Sequence, residues 1–565
     1  MRVSRGRSGR GASARGRARA VLALCCLLVL AGCVAAPVGD EAGGSLRFAD
    51  ATERSGFAYA DGGASVGVNG NEGVYAFDYD RDGWMDLLAV GGRRPVLFEN
   101  DRGTFRRSGL LPNVSGPVQG ALVFDYDGDG WRDLLLLVRH GRAVFLANEE
   151  GTFVRRDVGL SRRFAVPVAA AAGDVDGDGR LDVFVAQYGD WTERLPAGYD
   201  AVGDVTDDNG APNVLLEWNG TGYELASGAG VEGARWSLAA TVADFTGDGD
   251  PDVHVANDFN NDTLYVNRGD GTFRRVTLGP ATARNGMSST VADVNGDGRL
   301  DVFVTNIYLP NSRADLPSKT YRRLQLMGSF VLRLGNESMG NTLLVNDGGG
   351  RFHDAAVRYG VRRGGWGWAA AFADLDDDGH RDLFHATQRV FRVNASEPVY
   401  TFPMVWRRDG DRFVRLDASR LGFDETNGRG ATVLDYDRDG DLDVAVAVHG
   451  GRFRLYENRG CGGRALAVDV AGGPDAPVGA RVTVSAGGEE WSRRVRLRTT
   501  YQSQRGNLLH FGVGDHRRVT VRVAWPDGTV RTVAGVETGA RLVVGPDGVR
   551  DRLPFRDDGC GGHNG

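Results

Sequence analysis

Residues 77–90 read FDYDRDGWMDLLAV, with aspartates at 78, 80, 82 and 86 and a glycine at 83. Four carboxylates so close together repel one another and cannot be buried bare. The arrangement recurs as FDYDGDGWRDLLLL from Phe124, GDVDGDGRLDVFVA from Gly173, ADFTGDGDPDVHVA from Ala243 and ADVNGDGRLDVFVT from Ala292. ADLDDDGHRDLFHA from Ala373 and LDYDRDGDLDVAVA from Leu434 complete the set. The first aspartates, Asp78, Asp125, Asp174, Asp244, Asp293, Asp374 and Asp435, stand 47, 49, 70, 49, 81 and 61 residues apart. A unit of about 48 residues with three insertions explains these intervals, and repetition of that size means an array, a solenoid or a propeller.

Each unit has one grammar. A run of small residues such as GALVF, PVAAAAG or WGWAAAF precedes the aspartates, and an apolar run such as DLLAV or DVFVAQ follows. A hairpin comes next, clearest in LYVNRGDGTFRRV at 264–276, where Asn, Gly and Asp tolerate positive φ. The unit is therefore four short strands and no helix, which predicts an all-β propeller with glycine and alanine crowded at its axis. The rival, an open β-solenoid, has shorter coils and needs terminal caps. The last copy ends in RFRLYENRG without its final strand, and SLRFADATERSGF before the first motif resembles the missing piece. This predicts seven blades over residues 46–458, closed by the N-terminal strand.

The spacing D-x-D-x-D-G-x-x-D puts side-chain oxygens at positions 1, 3, 5 and 9 of a turn that has glycine at 6. That is the first part of a calcium loop of EF-hand type, here between strands. Position 3 holds Asp80, Asp127, Asp176, Thr246, Asn295, Asp376 and Asp437; position 5 holds Asp82, Asp129, Asp178, Asp248, Asp297, Asp378 and Asp439. Position 9 holds Asp86, Asp133, Asp182, Asp252, Asp301, Asp382 and Asp443. Hard oxygen donors suit Ca²⁺, so up to seven calcium ions are expected, with weaker sites at Thr246 and Asn295. Position 7 varies (Trp84, Trp131, Arg180, Asp250, Arg299, His380, Asp441), which fits a ligand supplied by the backbone carbonyl alone.

The N-terminus stands apart. Seven arginines and no acids lie between Arg2 and Arg19, followed by VLALCCLLVLAG from Val21. This apolar run is short for a membrane span and suits the core of a secretory signal. Leu30-Ala31-Gly32-Cys33 resembles the lipobox of prokaryotic lipoproteins, which implies a signal over 1–32, lipidation at Cys33 and a linker over 33–45. The expected location is the outer face of a prokaryotic membrane, held by lipid only. Without those seven arginines, 60 basic residues oppose 74 acidic ones, a net charge of −14, which argues against nucleic acid. The 28 oxygen positions hold 26 aspartates, and seven Ca²⁺ would bring +14. Of five cysteines, Cys461 and Cys560 remain in an oxidising compartment and are expected to form a disulfide.

The repeat grammar resembles the FG-GAP or VCBS repeats of integrin α-chain propellers and their prokaryotic relatives. That resemblance implies calcium loops on one face, between the first two strands of each blade, with ligands on the other face. The three insertions fall between the second and third strands, on that other face. The two longest, 190–212 and 308–340, carry Trp191, Tyr199, Tyr308, Tyr321, Arg322, Arg323 and Arg333, a candidate surface for an extracellular protein or glycan. Residues 464–548 read as short strands, SRRVRLR at 492–498 among them; 459–548, with GARVTV, TTYQSQRGNLLHFGVG and VTVRVAWPDGTV, look like an ASPIC/UnbV domain, leaving 549–565 as a tail. The domain order is similar to that of the cartilage acidic protein family.

No zinc-protease or Walker motif is present, and GASVG at 63–67 around Ser65 lacks the strand and helix that a nucleophile elbow needs. His510 in LLHFGVG reads as a packing residue. The sequence therefore predicts a calcium-binding adhesion module rather than an enzyme. The alternatives are a polysaccharide-active enzyme centred on the channel and a structural envelope component.

Overall fold

The computed structural model describes residues 46–60, 70–91, 94–114, 116–190, 208–278, 285–308, 340–388, 391–392, 398–399, 402–472 and 477–556. In each repeat the small-residue run forms the innermost strand, the apolar run the second, and the hairpin the outer two. In the second repeat, Val118–Phe124, Asp133–Val138, Val144–Glu149 and Thr152–Arg155 pair in sequential antiparallel order. The two inner strands are buried at every position, because neighbouring sheets cover both of their faces. The outermost strand buries Phe153 and exposes Thr152 and Arg155. Tyr75, Leu88, Leu136 and Phe153 belong to the apolar layer that joins the first repeat to the second.

Seven four-stranded units of this kind occur among the described residues between 46 and 458, as expected of a β-propeller. Gly73–Phe77 neighbours Val118–Phe124, and contact passes in turn to Pro167–Gly173 and Ser237–Ala243. Thr241 Oγ1 donates to Ser289 O at 3.2 Å, which carries the series to Thr290–Ala292. Gly367–Ala373 and Gly428–Leu434 then lead back to Gly73–Phe77. The N-terminal strand Phe48–Asp50 is the fourth strand of the last sheet, with Phe48 opposite Asn458. Among the described residues the expectation of no helix fails at one place. Ala418–Leu421 forms a single helical turn, capped by the Asp417 side chain and ended by Gly422 at φ 102°. Among the described residues no helix is long and apolar enough to cross a membrane.

The C-terminal domain is two four-stranded sheets packed face to face. Leu466, Val482, Phe511, Val521 and Leu542 lie in the shared core. Two sequence expectations need correction here. The last strand runs Gly548–Pro554 and pairs with Ala540–Gly545, so the domain passes its expected limit at 548. SRRVRLR, expected as one strand, leaves the sheet after Arg494 and turns into the propeller.

There, Arg498–Thr500 and Ser503–Arg505 form a hairpin that fills the channel. Its second strand pairs in parallel with Gly73–Phe77, Ser503 standing opposite Val74. Gln504 grips Val123 at both ends of its amide, accepting from the N–H at 2.9 Å and donating to the carbonyl at 2.6 Å. Thr499 Oγ1 donates to Ala240 O at 2.9 Å, and Ala370 N donates to Thr500 Oγ1 at 3.1 Å. Tyr501, at the tip, is fully buried against Trp368, ring centroids 4.6 Å apart. A Cβ at Gly73 would lie 2.1 Å from Gln502 O, so the inner strands are small partly to admit this hairpin.

Candidate metal centres

The aspartate turns share one backbone. Position 4 is left-handed in all seven: at Gly128, Gly177, Gly247 and Gly296, but also at Arg81 (φ 61°), Asp377 (φ 54°) and Arg438 (φ 58°). A non-glycine residue there costs on the order of 1 kcal/mol, and each of the three makes a contact that glycine could not. Position 6, always glycine, has φ between 85° and 103°.

The ninth aspartate, read from sequence only as a ligand, also clips the blade together. Asp86 Oδ2 accepts from Tyr79 N at 3.0 Å, and its Oδ1 accepts from Asn100 N at 2.8 Å, tying the turn to the third strand. Asp133, Asp182, Asp252, Asp301, Asp382 and Asp443 repeat the clip. The hairpin asparagine, read as a turn residue, is a brace between blades. Asn148 Nδ2 donates to Arg132 O in its own repeat and to Tyr79 O in the preceding one, at 3.1 and 2.7 Å. Asn100, Asn267, Asn346 and Asn458 do the same. The third and sixth repeats have Trp218 and Arg408 at this position, and Trp218 meets Tyr126 edge to face instead.

Five turns gather three carboxylates whose oxygens lie within 4.8 Å of one another. Four of them use positions 1, 3 and 9: Asp78, Asp80 and Asp86; Asp125, Asp127 and Asp133; Asp174, Asp176 and Asp182; Asp435, Asp437 and Asp443. The sixth repeat uses Asp374, Asp376 and Asp378. Position 5 mostly turns back on itself, as when Asp82 Oδ1 accepts from Trp84 N at 2.8 Å. Buried oxygens with no hydrogen-bond partner remain on Asp78, Asp374, Asp376, Asp435 and Asp437. Burial first, and neighbouring carboxylates after it, pushes Asp86 up to about 9 and Asp133 and Asp182 up to about 8. A divalent cation reverses that logic, and these donors fit one. A cation bound there would neutralise the cluster.

The fourth and fifth turns differ. The buried Thr246 hydroxyl has no partner, while Asn295 Nδ2 donates to Asp297 Oδ2 at 2.8 Å and Arg299 forms an ion pair with the same carboxylate. Side chains of the protein itself thus offset part of the charge in the fifth turn. The variable seventh position also has work beyond a carbonyl. The Arg438 guanidinium lies 4.3 Å from the Trp84 ring centre, Arg81 lies 4.2 Å from that of Trp131, and Arg180 Nη1 donates to Asp127 O at 2.6 Å. Neighbouring turns are stitched together in this way.

The C-terminal domain docks on these turns. Arg541 Nη1 reaches Asp78 Oδ2 at 3.0 Å while its Nη2 holds Asp469 at 2.7 Å. Asp374 Oδ2 accepts from Gly512 N at 3.0 Å and pairs with Arg493 Nη2 at 3.3 Å. His510, buried, meets Asp377 Oδ1 at 2.5 Å through Nε2, so its packing role includes a polar contact with the turn. Sequence reading found none of the contacts between the domain and the turns, because those residues lie more than a hundred positions apart.

Of the candidate partner surface, Tyr308 is half-buried beneath the Arg363 guanidinium, 5.8 Å from its ring centre. Trp191, Tyr199, Tyr321, Arg322, Arg323 and Arg333 lie outside the described residues, as do Cys33 and Ser65. Cys461 is disulfide-bonded, and Cys560 lies outside the described residues.

FG-GAP-like repeats match residues 78–136, 125–185, 244–304 and 330–385, and an ASPIC and UnbV domain matches 472–550. No curated protein matches the chain. Among solved structures it is similar to an Agrocybe aegerita protein described as recognising non-reducing terminal N-acetylglucosamine. That match has 16% identity and a TM-score of 0.39, covering 68% of this chain and 93% of the other. The V. cholerae biofilm matrix protein Bap1 is similar at 13% identity and a TM-score of 0.31, covering 83% and 73%. At such scores neither likeness bears on the site. The residues and the matches agree that this chain carries FG-GAP-like repeats followed by an ASPIC and UnbV domain.

Proposed function

We propose that the chain is a calcium-stabilised propeller of seven blades, held by a lipid on Cys33 at the outer face of a prokaryotic membrane. It binds an extracellular protein or glycan through the face opposite its metal turns. The observation that carries this reading is the docked C-terminal domain. It covers turns on the aspartate face and fills the channel, which leaves the face bearing the strand-two-to-strand-three insertions for a partner. The same hairpin occupies the place where an enzymatic reading put its centre.

Calcium is favoured over transition metals because the clustered donors are all oxygens, with no imidazole or thiolate among them. Its role is structural, since the ninth aspartates tie each turn to its blade. Chelation should lower the melting temperature by roughly 10 °C or more, because several clusters lose their counter-charge together. A melting temperature unmoved by EDTA would sink the calcium reading. For the binding face, pull-down from surface extracts should lose its captured material when residues 308–340 are deleted. Capture of the same material by the deletion variant counts against it.

A further inference from the structure

We infer that the centre of the propeller binds a small inorganic oxyanion, held by Arg381, Arg496 and Arg505. Arg381 is the eighth residue of the sixth aspartate turn, Arg496 lies two residues before the channel hairpin, and Arg505 ends it. The three line one cavity of about 40 Å³ between the hairpin and the inner strands, with Thr290, Thr500 and Phe372 among its walls. A single water needs about 10–15 Å³ by this measure, so the space suits a few waters or one tetrahedral oxyanion.

The charge there is uncompensated. Arg496 is 8% exposed, and its Nε and Nη1 are buried with no hydrogen-bond partner. The nearby Arg493 shows what a provided-for guanidinium looks like. Its Nε donates to His510 O at 2.6 Å, its Nη2 pairs with Asp374, and it lies 4.8 Å from the Phe511 ring centre. Burial first, and like-charged neighbours after it, lower Arg496 and Arg505 to about 10. Of the acids that act on this group, Asp293 acts on Arg381, and Asp374, which acts on Arg505, already serves Arg493. A guanidinium does not give up its proton in a protein, so the missing negative charge has to come from a ligand. Planar N–H forks match oxyanions better than they match a spherical halide.

The test follows thermal unfolding of the full calcium-loaded chain at fixed ionic strength, titrating sulfate, phosphate or chloride. Wild type should gain stability along a saturating curve with sulfate or phosphate, and the tighter of the two identifies the ion. Arg496→Met should melt above wild type in anion-poor buffer, because an unpaired buried charge is gone, and below it at saturating oxyanion. That change of sign is the signature. If Arg496→Met shifts the melting temperature equally in all buffers, or both proteins respond linearly as to a general salt effect, the site does not exist. Saturation by chloride alone overturns the oxyanion assignment. Should Arg496→Met fail to fold, selenate introduced into wild-type crystals should give an anomalous peak in the cavity, and its absence overturns the proposal.

Discussion

The fifth and sixth aspartate turns are near copies in sequence, ADVNGDGRLDVFVT and ADLDDDGHRDLFHA, yet they live in different surroundings. In the sixth, Asp374, Asp376 and Asp377 are buried beneath Arg493, His510 and the Gly512 amide. In the fifth, Asn295 and Asp297 face water, and Arg299 partners Asp297 locally. The clip aspartates register the difference: burial raises Asp301 to about 6, but holds Asp382 well above the ordinary carboxylate range. A repeated motif thus sets a local shape, while what covers it decides whether its charge must be cancelled. A covered turn needs a cation, and an open one can relax into hydration and side-chain pairs.

The comparison breaks most readily at the first aspartate. Asp374→Ala should cost about 3 kcal/mol in calcium-loaded protein, since it strands Arg493 in a buried site, whereas Asp293→Ala should cost under about 1 kcal/mol. Urea unfolding checks this, and equal losses would remove the distinction between covered and open turns. Next, Gly73→Ala should cost about 1–3 kcal/mol by pushing against Gln502 O. Because it loosens the hairpin of the domain that covers the sixth turn, it should also narrow the gap between Asp374→Ala and Asp293→Ala. A double-mutant cycle reads that coupling, and strict additivity would separate the hairpin from the turns.

The smallest contrast should come from acid. His254 in the fourth repeat and His385 in the sixth are fully buried, and burial lowers them to about 3 and about 4. Unfolded histidine titrates near 6.5, so between that value and the folded one the unfolded chain binds more protons. The stability each neutral ring contributes is complete above about pH 6.5 and falls by up to about 1.4 kcal/mol per pH unit below it. His254→Asn and His385→Asn should flatten the acid limb of the melting curve by similar amounts. A much larger effect in the sixth repeat would mean that the covering domain reaches deeper into the blade than its contacts indicate.

The spacing of aspartates and glycines was enough to read the repeats, the order of strands and the place of the aspartate turns. Local chemistry repeated seven times leaves a strong trace. The N-terminal closing strand was legible too, because the last copy visibly lacked a partner. What stayed hidden depends on distant pairs. The ninth aspartate looks the same as a ligand or as a clip, and only the position of Asn100 N tells them apart. The brace formed by Asn148 needs the preceding blade. TTYQSQR is polar and without period, so nothing in it announces a hairpin bound for a channel. Nor does RVRLR reveal that the chain leaves the sheet after Arg494, since alternation continues past the point where pairing stops.

The strand that closes the ring also defines a path for force. Phe48–Asp50 is held to the last sheet by three residue pairs, and Arg459 N, just beyond its partner strand, donates to Arg47 O at 2.6 Å. The chain leading back to the proposed tether and the chain leading on to the C-terminal domain leave this strand pair at the same end. Tension between tether and domain therefore opens the pair one bond at a time, beginning at Arg47 and Arg459, instead of shearing all its bonds together. Under load, this short seam should yield before the blades do.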